Sequence, residues 1–169
     1  MKEIPLTHGQ VALVDDEQYP ILSQYRWMAH RNSTGRWYAI RHTYHSKGEP
    51  RKKWIFMHHA VLGIKALIDH SDGNGLNNQR DNLRLATPSQ NAGNVRRARG
   101  VVPFKGVYCA RRGGDRFVAK IRVDGKRISL GYYSSPEAAA RAYDKAALHY
   151  FKDFAATNES LGLLPEEKN

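Results

Sequence analysis

Cysteine is nearly absent from this 169-residue chain: Cys109 stands alone. That excludes an intramolecular disulfide and a zinc site built on cysteine. Histidine does not fill the gap, because His42 and His45 have no cysteine or suitably spaced histidine partner for a zinc finger. Long apolar runs are missing too. None approaches the length that spans a bilayer, and the opening MKEIPLTHGQ lacks the apolar centre of a leader peptide. No membrane partner is expected, and a reducing cytoplasm is. Acidic residues are also scarce, 16 against 27 Lys and Arg, for a net charge of +11. Such a balance favours nucleic acid or an anionic membrane surface as partner. No stretch reads as a coiled coil or dimerisation helix, so no protein partner is evident and a monomer is expected.

The positive charge is unevenly spread. Residues 1–68 carry ten Lys/Arg against five acids, and residues 92–127 carry eleven against two. Between them, residues 69–91 carry two against three, and residues 128–169 carry four against six. Affinity for an anionic polymer should therefore come mainly from the stretch after residue 91.

The weakly acidic segment holds the chemistry. In ALIDHSDGNGLNNQRDNLRLATPSQN, residues 66–91, Asp69 and His70 are followed by Asn82 and then Asn91. DGNGLNN between them is a run of turn formers. NLRLA gives a short alternating strand, and Thr87 can cap a helix that has Pro88 at its first position. Strand, loop, strand and helix would bring a carboxylate, an imidazole and an amide oxygen together. Those groups suit one hard cation with an activated water beside it.

The pattern DH-x11-N-x8-N, inside DGNGLNNQRDNLRLAT, resembles the HNH nuclease motif in its H-N-N form, as found in phage homing endonucleases with the ββα-metal fold. The resemblance implies that His70 is the general base, that Asp69 and Asn91 hold Mg2+ or Mn2+, and that Asn82 braces the long loop. His58 has two readings, a structural helix residue or a neighbour of the site, with the structural one favoured.

Upstream, residues 3–14 read as two short strands around Gly9, and Asp15–Tyr25 as a short helix with Pro20 interrupting it. Arg26–His30, Trp37–His42 and Lys53–Met57 read as strands, with a turn near Lys47–Pro50. Trp27, Trp37, Tyr38, Trp54 and Phe56 look like their core. His58–Leu62 is a short helix ended by Gly63. Downstream, VYCAR, FVAKIRV and RISLGYY read as three strands, joined at Arg112–Asp115 and at the hairpin signal Asp124-Gly125. Alternation puts Phe117, Ala119, Ile121, Val123, Ile128, Leu130 and Tyr132 on one face. Lys120, Arg122, Arg127 and Ser129, with Val118, fall on the other. Ser135 and Pro136 open a helix whose stripe of Ala138, Ala139, Ala142, Tyr143, Ala146, Ala147 and Tyr150 would cover the apolar face.

FKGV at 104–107, FVAKIR at 117–122, LGYY at 130–133 and SPEAAARAYDKAALHYFKDFAATN at 135–158 together resemble an AP2 domain. The resemblance implies a sheet that reads double-stranded DNA, with Arg122 and Arg127 at positions of family DNA contacts. Lys120 stands where the plant family usually has an acid. Tyr108, Ala110 and Arg112 stand near an arginine, an arginine and a tryptophan of that family, and Ser129 replaces another tryptophan. Arg96, Arg97 and Arg99 read as phosphate-tracking residues between the two parts.

These readings give an α+β chain: an HNH nuclease domain at 1–95 with a small antiparallel sheet, a basic linker at 96–103, an AP2-like domain at 104–158 and a tail at 159–169. The opening IPLTHGQVALVDDE is similar to the N-terminus of phage-type HNH homing endonucleases that carry an AP2 module. The expected activity is metal-dependent cleavage of double-stranded DNA. The alternatives are a DNA-binding regulator with a decayed nuclease site, and an RNA-binding protein. Few aromatics are expected on the open sheet face, which favours groove reading over base stacking.

Overall fold

The computed structural model describes residues 1–43, 53–96, 98, 101–111 and 116–164. They divide into two compact units, Met1–Leu85 and Ala86–Asn169. Both mix short helices with small antiparallel sheets, so the α+β class holds. No described helix is long and apolar enough to cross a membrane.

The first unit opens on a hairpin of β1 (Lys2–Pro5) and β2 (Val11–Val14). The helix expected over Asp15–Tyr25 is a single turn, α1 (Tyr19–Leu22), with Pro20 inside its first turn. Proline starts this helix rather than interrupting it, because its missing N–H falls where a first turn has no intrahelical acceptor. The Asp15 side chain accepts the backbone N–H of Arg80 at 2.8 Å. Next come β3 (Met28–Arg31), β4 (Trp37–Thr43) and β5 (Lys53–Phe56), a three-stranded sheet in the order β3-β4-β5. The turn expected near Lys47–Pro50 lies outside the described residues. Helix α2 (Met57–Leu62) follows β5 directly and stops at Gly63.

Trp27, Ala39, Met57, Val61, Ile68 and Leu83 meet in one apolar cluster. Trp54 does not join them as expected. It is 50% exposed and lies edge-on against His30 and His42. Its place on the outermost strand of the sheet leaves one side of the ring without a neighbouring strand. The last two strands of the unit, β6 (Ile68–His70) and β7 (Leu83–Leu85), are antiparallel and enclose the long loop.

The second unit begins with helix α3 (Pro88–Gly93). Thr87 caps it in a reciprocal pair with Gln90: Thr87 Oγ1 accepts the Gln90 N–H, and the Gln90 side chain accepts the Thr87 N–H. The three strands β8 (Val107–Cys109), β9 (Phe117–Val123) and β10 (Lys126–Tyr133) then form a sheet in the order β10-β9-β8. Helix α4 (Pro136–Phe151) packs on it, with Ser135 accepting the Ala138 N–H at its start.

Two faces differ from the simple alternation. The register between β9 and β10 shifts between Ser129 and Gly131, so that Tyr133, not Tyr132, pairs with Phe117 and joins the core. Gly131, at φ 123, takes a backbone conformation that side-chain-bearing residues avoid, and this permits the bulge. Tyr132 is thereby turned out to 62% exposure. On α4 the buried set is Ala139, Ala140, Tyr143, Asp144, Ala147 and Phe151, while Tyr150 is exposed. Asp144 can be buried because its carboxylate accepts the backbone N–H groups of Asn158 and Glu159 and the Asn158 side chain.

The second unit also takes in residues outside the 104–158 span read from sequence. Val102 and Leu164 are buried in its core. Helix α3 is docked there too: a Cβ added to Gly93 would lie 2.6 Å from Phe151 Cγ. Lys105 Nζ donates to the Gly93 and Ala156 carbonyls at 2.6 and 2.7 Å, and Ser89 Oγ accepts the Asp124 N–H at 3.0 Å. That packing explains why the division between units falls before α3 rather than at residue 95.

Candidate functional site

Asp69 and His70 end β6, a three-residue strand with no exposed position. The loop after them, 71–81, holds its shape through side chains. Asn82 Oδ1 accepts the Asp72 N–H at 2.9 Å, and Asn82 Nδ2 donates to the Asp72 carboxylate at 3.0 Å and to the Asn77 carbonyl at 2.8 Å. The Asp72 carboxylate also accepts the Asn74 N–H and the Asn77 side chain, both at 2.8 Å. One end of the loop is clamped to β2, where the Leu13 N–H donates to the Leu76 carbonyl and the Asn78 N–H to the Leu13 carbonyl. This is how the DGNGLNN run uses its polarity: each short side chain satisfies backbone groups that neither helix nor sheet could pair.

His70 is 5% exposed. Its ring stands edge-on to His58, with centroids 5.2 Å apart, and to Tyr38 at 5.9 Å. Burial lowers its pKa from the ordinary histidine value, outweighing the nearby Asp72, Asn78 and Asp69, which act to raise it. The imidazole is therefore neutral at neutral pH and able to take a proton. His58 is 7% exposed, and burial, then the His70 and His59 rings, push its pKa down to about 3. His58 thus lies against His70 as a neutral ring, uniting the two sequence readings: a helix residue that is also the neighbour of the site. His59 serves structure, donating from Nε2 to the Ala66 carbonyl at 3.0 Å.

Asp69 is 1% exposed and ion-paired across the hairpin. Arg84, its register partner on β7, donates from Nε and Nη2 to Asp69 Oδ2 at 2.9 and 2.8 Å. Sequence reasoning passed over Arg84. The signal was there, since pairing His70 with Leu83 puts Arg84 directly opposite Asp69.

The first unit thus brings together Asp69, His70, Asn82 and His58. Asn91 belongs to the second unit, on α3, where it is half-buried. HNH nucleases generally need a divalent cation. Asp69 in the first unit carries a carboxylate and Asn91 in the second an amide oxygen, each a hard donor of the kind such cations take. Among the described residues no three His, Cys, Asp or Glu side chains converge on one point.

On the sheet of the second unit, Arg122 and Arg127 are cross-strand partners, Lys120 pairs with Ser129, and Val118 pairs with both Tyr108 and Tyr132. These residues share the face opposite the apolar cluster, and Arg122, Arg127 and Ser129 are exposed there. Tyr108 and Tyr132, at 44% and 62% exposure, add aromatic surface that alternation alone did not place on this face. The Arg116 guanidinium lies 5.6 Å from the Tyr132 ring centre. Arg96 is exposed, and Arg97, Arg99 and Arg112 lie outside the described residues.

Known proteins resemble the chain over different lengths of it. Residues 65–93 match the family model described as HNH endonuclease. The chain is 28% identical over 151 residues, 89% of its own length and 76% of the relative's, to an uncharacterised HNH endonuclease of Acanthamoeba polyphaga mimivirus. Over 68 residues, 39% of this chain and 35% of the relative, it is 46% identical to an ethylene-responsive transcription factor of Arabidopsis thaliana.

Proposed function

We propose that this chain, an HNH endonuclease by its motif and its viral relative, is a free-standing homing-type nuclease that nicks double-stranded DNA. Its C-terminal sheet chooses the site. The observation that carries the reading is the buried Asp69–His70 pair at the end of β6, with the following loop closed by Asn82.

His70 is the general base. Its ring is kept neutral by burial and held between His58 and Tyr38, so it accepts the proton of an attacking water without first losing one itself. Asn82 keeps the loop closed over the hairpin. By the resemblance Asp69 and Asn91 would hold Mg2+ or Mn2+, and the ion would supply positive charge against the leaving 3′ oxygen. The second unit supplies affinity and register. Arg122 and Arg127 read base edges in the major groove, and Lys120, Arg112, Arg96, Arg97 and Arg99 neutralise phosphates. The protein acts as a monomer in the cytoplasm of the cell that houses its DNA target. The chain holds one constellation of this kind, so each binding event cuts one strand and leaves 5′-phosphate and 3′-hydroxyl ends.

The test is a supercoiled plasmid carrying the target, with Mg2+ or with chelator. Open circles should accumulate first with Mg2+ and not with chelator, and His70→Ala should bind the plasmid but leave it intact. Prompt linearisation at sub-stoichiometric protein would refute the nicking monomer. Cleavage by His70→Ala at the wild-type rate would refute the base. Tight binding with no cleavage under any divalent ion would favour the regulator reading instead.

A further inference from the structure

We infer that Arg84 is a positioning residue for Asp69 and that it sets how tightly the site takes a divalent cation. The inference rests on the proposed role of Asp69 as a metal ligand. The two residues are direct partners in the β6–β7 register. Asp69 is 1% exposed and the Arg84 side chain 23%, so the pair is closed on the carboxylate side and half-open on the guanidinium side. Both Nε and Nη2 of Arg84 reach the same oxygen, Oδ2.

Three consequences follow from that geometry. A carboxylate buried this deeply needs a counter-charge, and Arg84 provides one. Two donors of one planar fork on one oxygen restrict rotation of the carboxylate, which the single ammonium of a lysine cannot do. A cation arriving at Asp69 must share the carboxylate with a guanidinium of its own sign. Arg84 therefore lowers cation affinity while holding the ligand in place for turnover. A site so arranged binds metal weakly until further anionic ligands, such as phosphate oxygens, add to Asp69.

The test measures bound Mn2+ by electron paramagnetic resonance on the full chain without DNA, beside nicking kinetics. Arg84→Gln removes the charge and the fork. It should bind Mn2+ about tenfold more tightly, since a repelling charge within a few ångströms is gone, and yet show a lower kcat. Arg84→Lys keeps the charge and loses the fork, so Mn2+ affinity should return to the wild-type value with kcat still reduced. A residue that only braces the hairpin would not tighten Mn2+ binding. Unchanged or weaker Mn2+ binding by folded Arg84→Gln, while Asp69→Asn abolishes it, overturns the inference and leaves the role of Asp69 standing. Unchanged binding by Asp69→Asn overturns both. Should Arg84→Gln fail to fold, wild-type kcat in Arg84→Lys overturns the inference by itself.

Discussion

The two units keep the side chains proposed to act in opposite places. In the first, Asp69, His70 and His58 are at most 7% exposed. In the second, Arg122, Arg127 and Ser129 stand on an open sheet face, and Asp144, Lys105, Asn94, Thr157 and Asn158 are buried polar groups. Burial is costly for a charge or a polar ring unless partners are supplied. The first unit supplies them through Arg84 and a loop of short polar side chains, and the second spends its buried polar groups on holding helix and tail together. On the proposed reading, chemistry at a phosphate calls for water exclusion and a shifted pKa, whereas reading a duplex calls for reach.

That contrast breaks most sharply by exchanging losses. His70→Ala should remove cleavage with binding nearly intact. Arg122→Ala and Arg127→Ala should each cost about 1–3 kcal/mol of binding, with relaxed specificity at one position, and leave the rate of bound complexes near normal. Gel shifts at fixed salt and single-turnover nicking separate the two. Loss of turnover in bound Arg122→Ala would mean that the sheet does more than hold DNA.

A smaller effect tests what the second unit spends on its interior. Gly93→Ala puts a methyl 2.6 Å from Phe151 Cγ, so it should destabilise the unit by about 1–3 kcal/mol, the usual range for overpacking. Urea denaturation followed by circular dichroism reads this. A stability equal to wild type would show that α3 can shift away from Phe151.

The last expected effect concerns protons. His58 has a folded pKa of about 3, below the ordinary 6.5. Its contribution to stability is therefore complete above pH 6.5 and is lost progressively as the pH falls toward 3. The second unit has a single histidine, His149, and it is exposed. All three tryptophans, Trp27, Trp37 and Trp54, lie in the first unit, so tryptophan fluorescence follows that unit alone. Its melting temperature should fall with pH below 6.5, and less steeply in His58→Leu. Equal slopes in the two proteins would place the acid sensitivity elsewhere.

The candidate residues are legible directly. Asp69, His70, Asn82 and Asn91 stand at fixed spacings inside a run of turn formers, and Thr87-Pro88 announces its helix. The strands of the second unit and the Asp124-Gly125 turn follow from period-two alternation and one dipeptide. Arg84 was harder, because its meaning depends on which residue faces it across a hairpin, and register is a property of two strands. His58 was ambiguous for the same reason: only packing tells whether a helix residue meets a strand end.

By itself, then, the sequence determined the chemistry on offer and the order of the elements, since residue type, spacing and local backbone preference are carried by neighbouring positions. The tertiary structure alone decided which faces those residues occupy. A one-residue bulge at Gly131 reversed Tyr132 and Tyr133, a glycine fitted to Phe151 drew α3 into the second unit, and a cross-strand arginine gave the buried Asp69 its partner. Each of these depends on contact between segments far apart in the chain, where a shift of one residue in register moves a side chain from core to solvent.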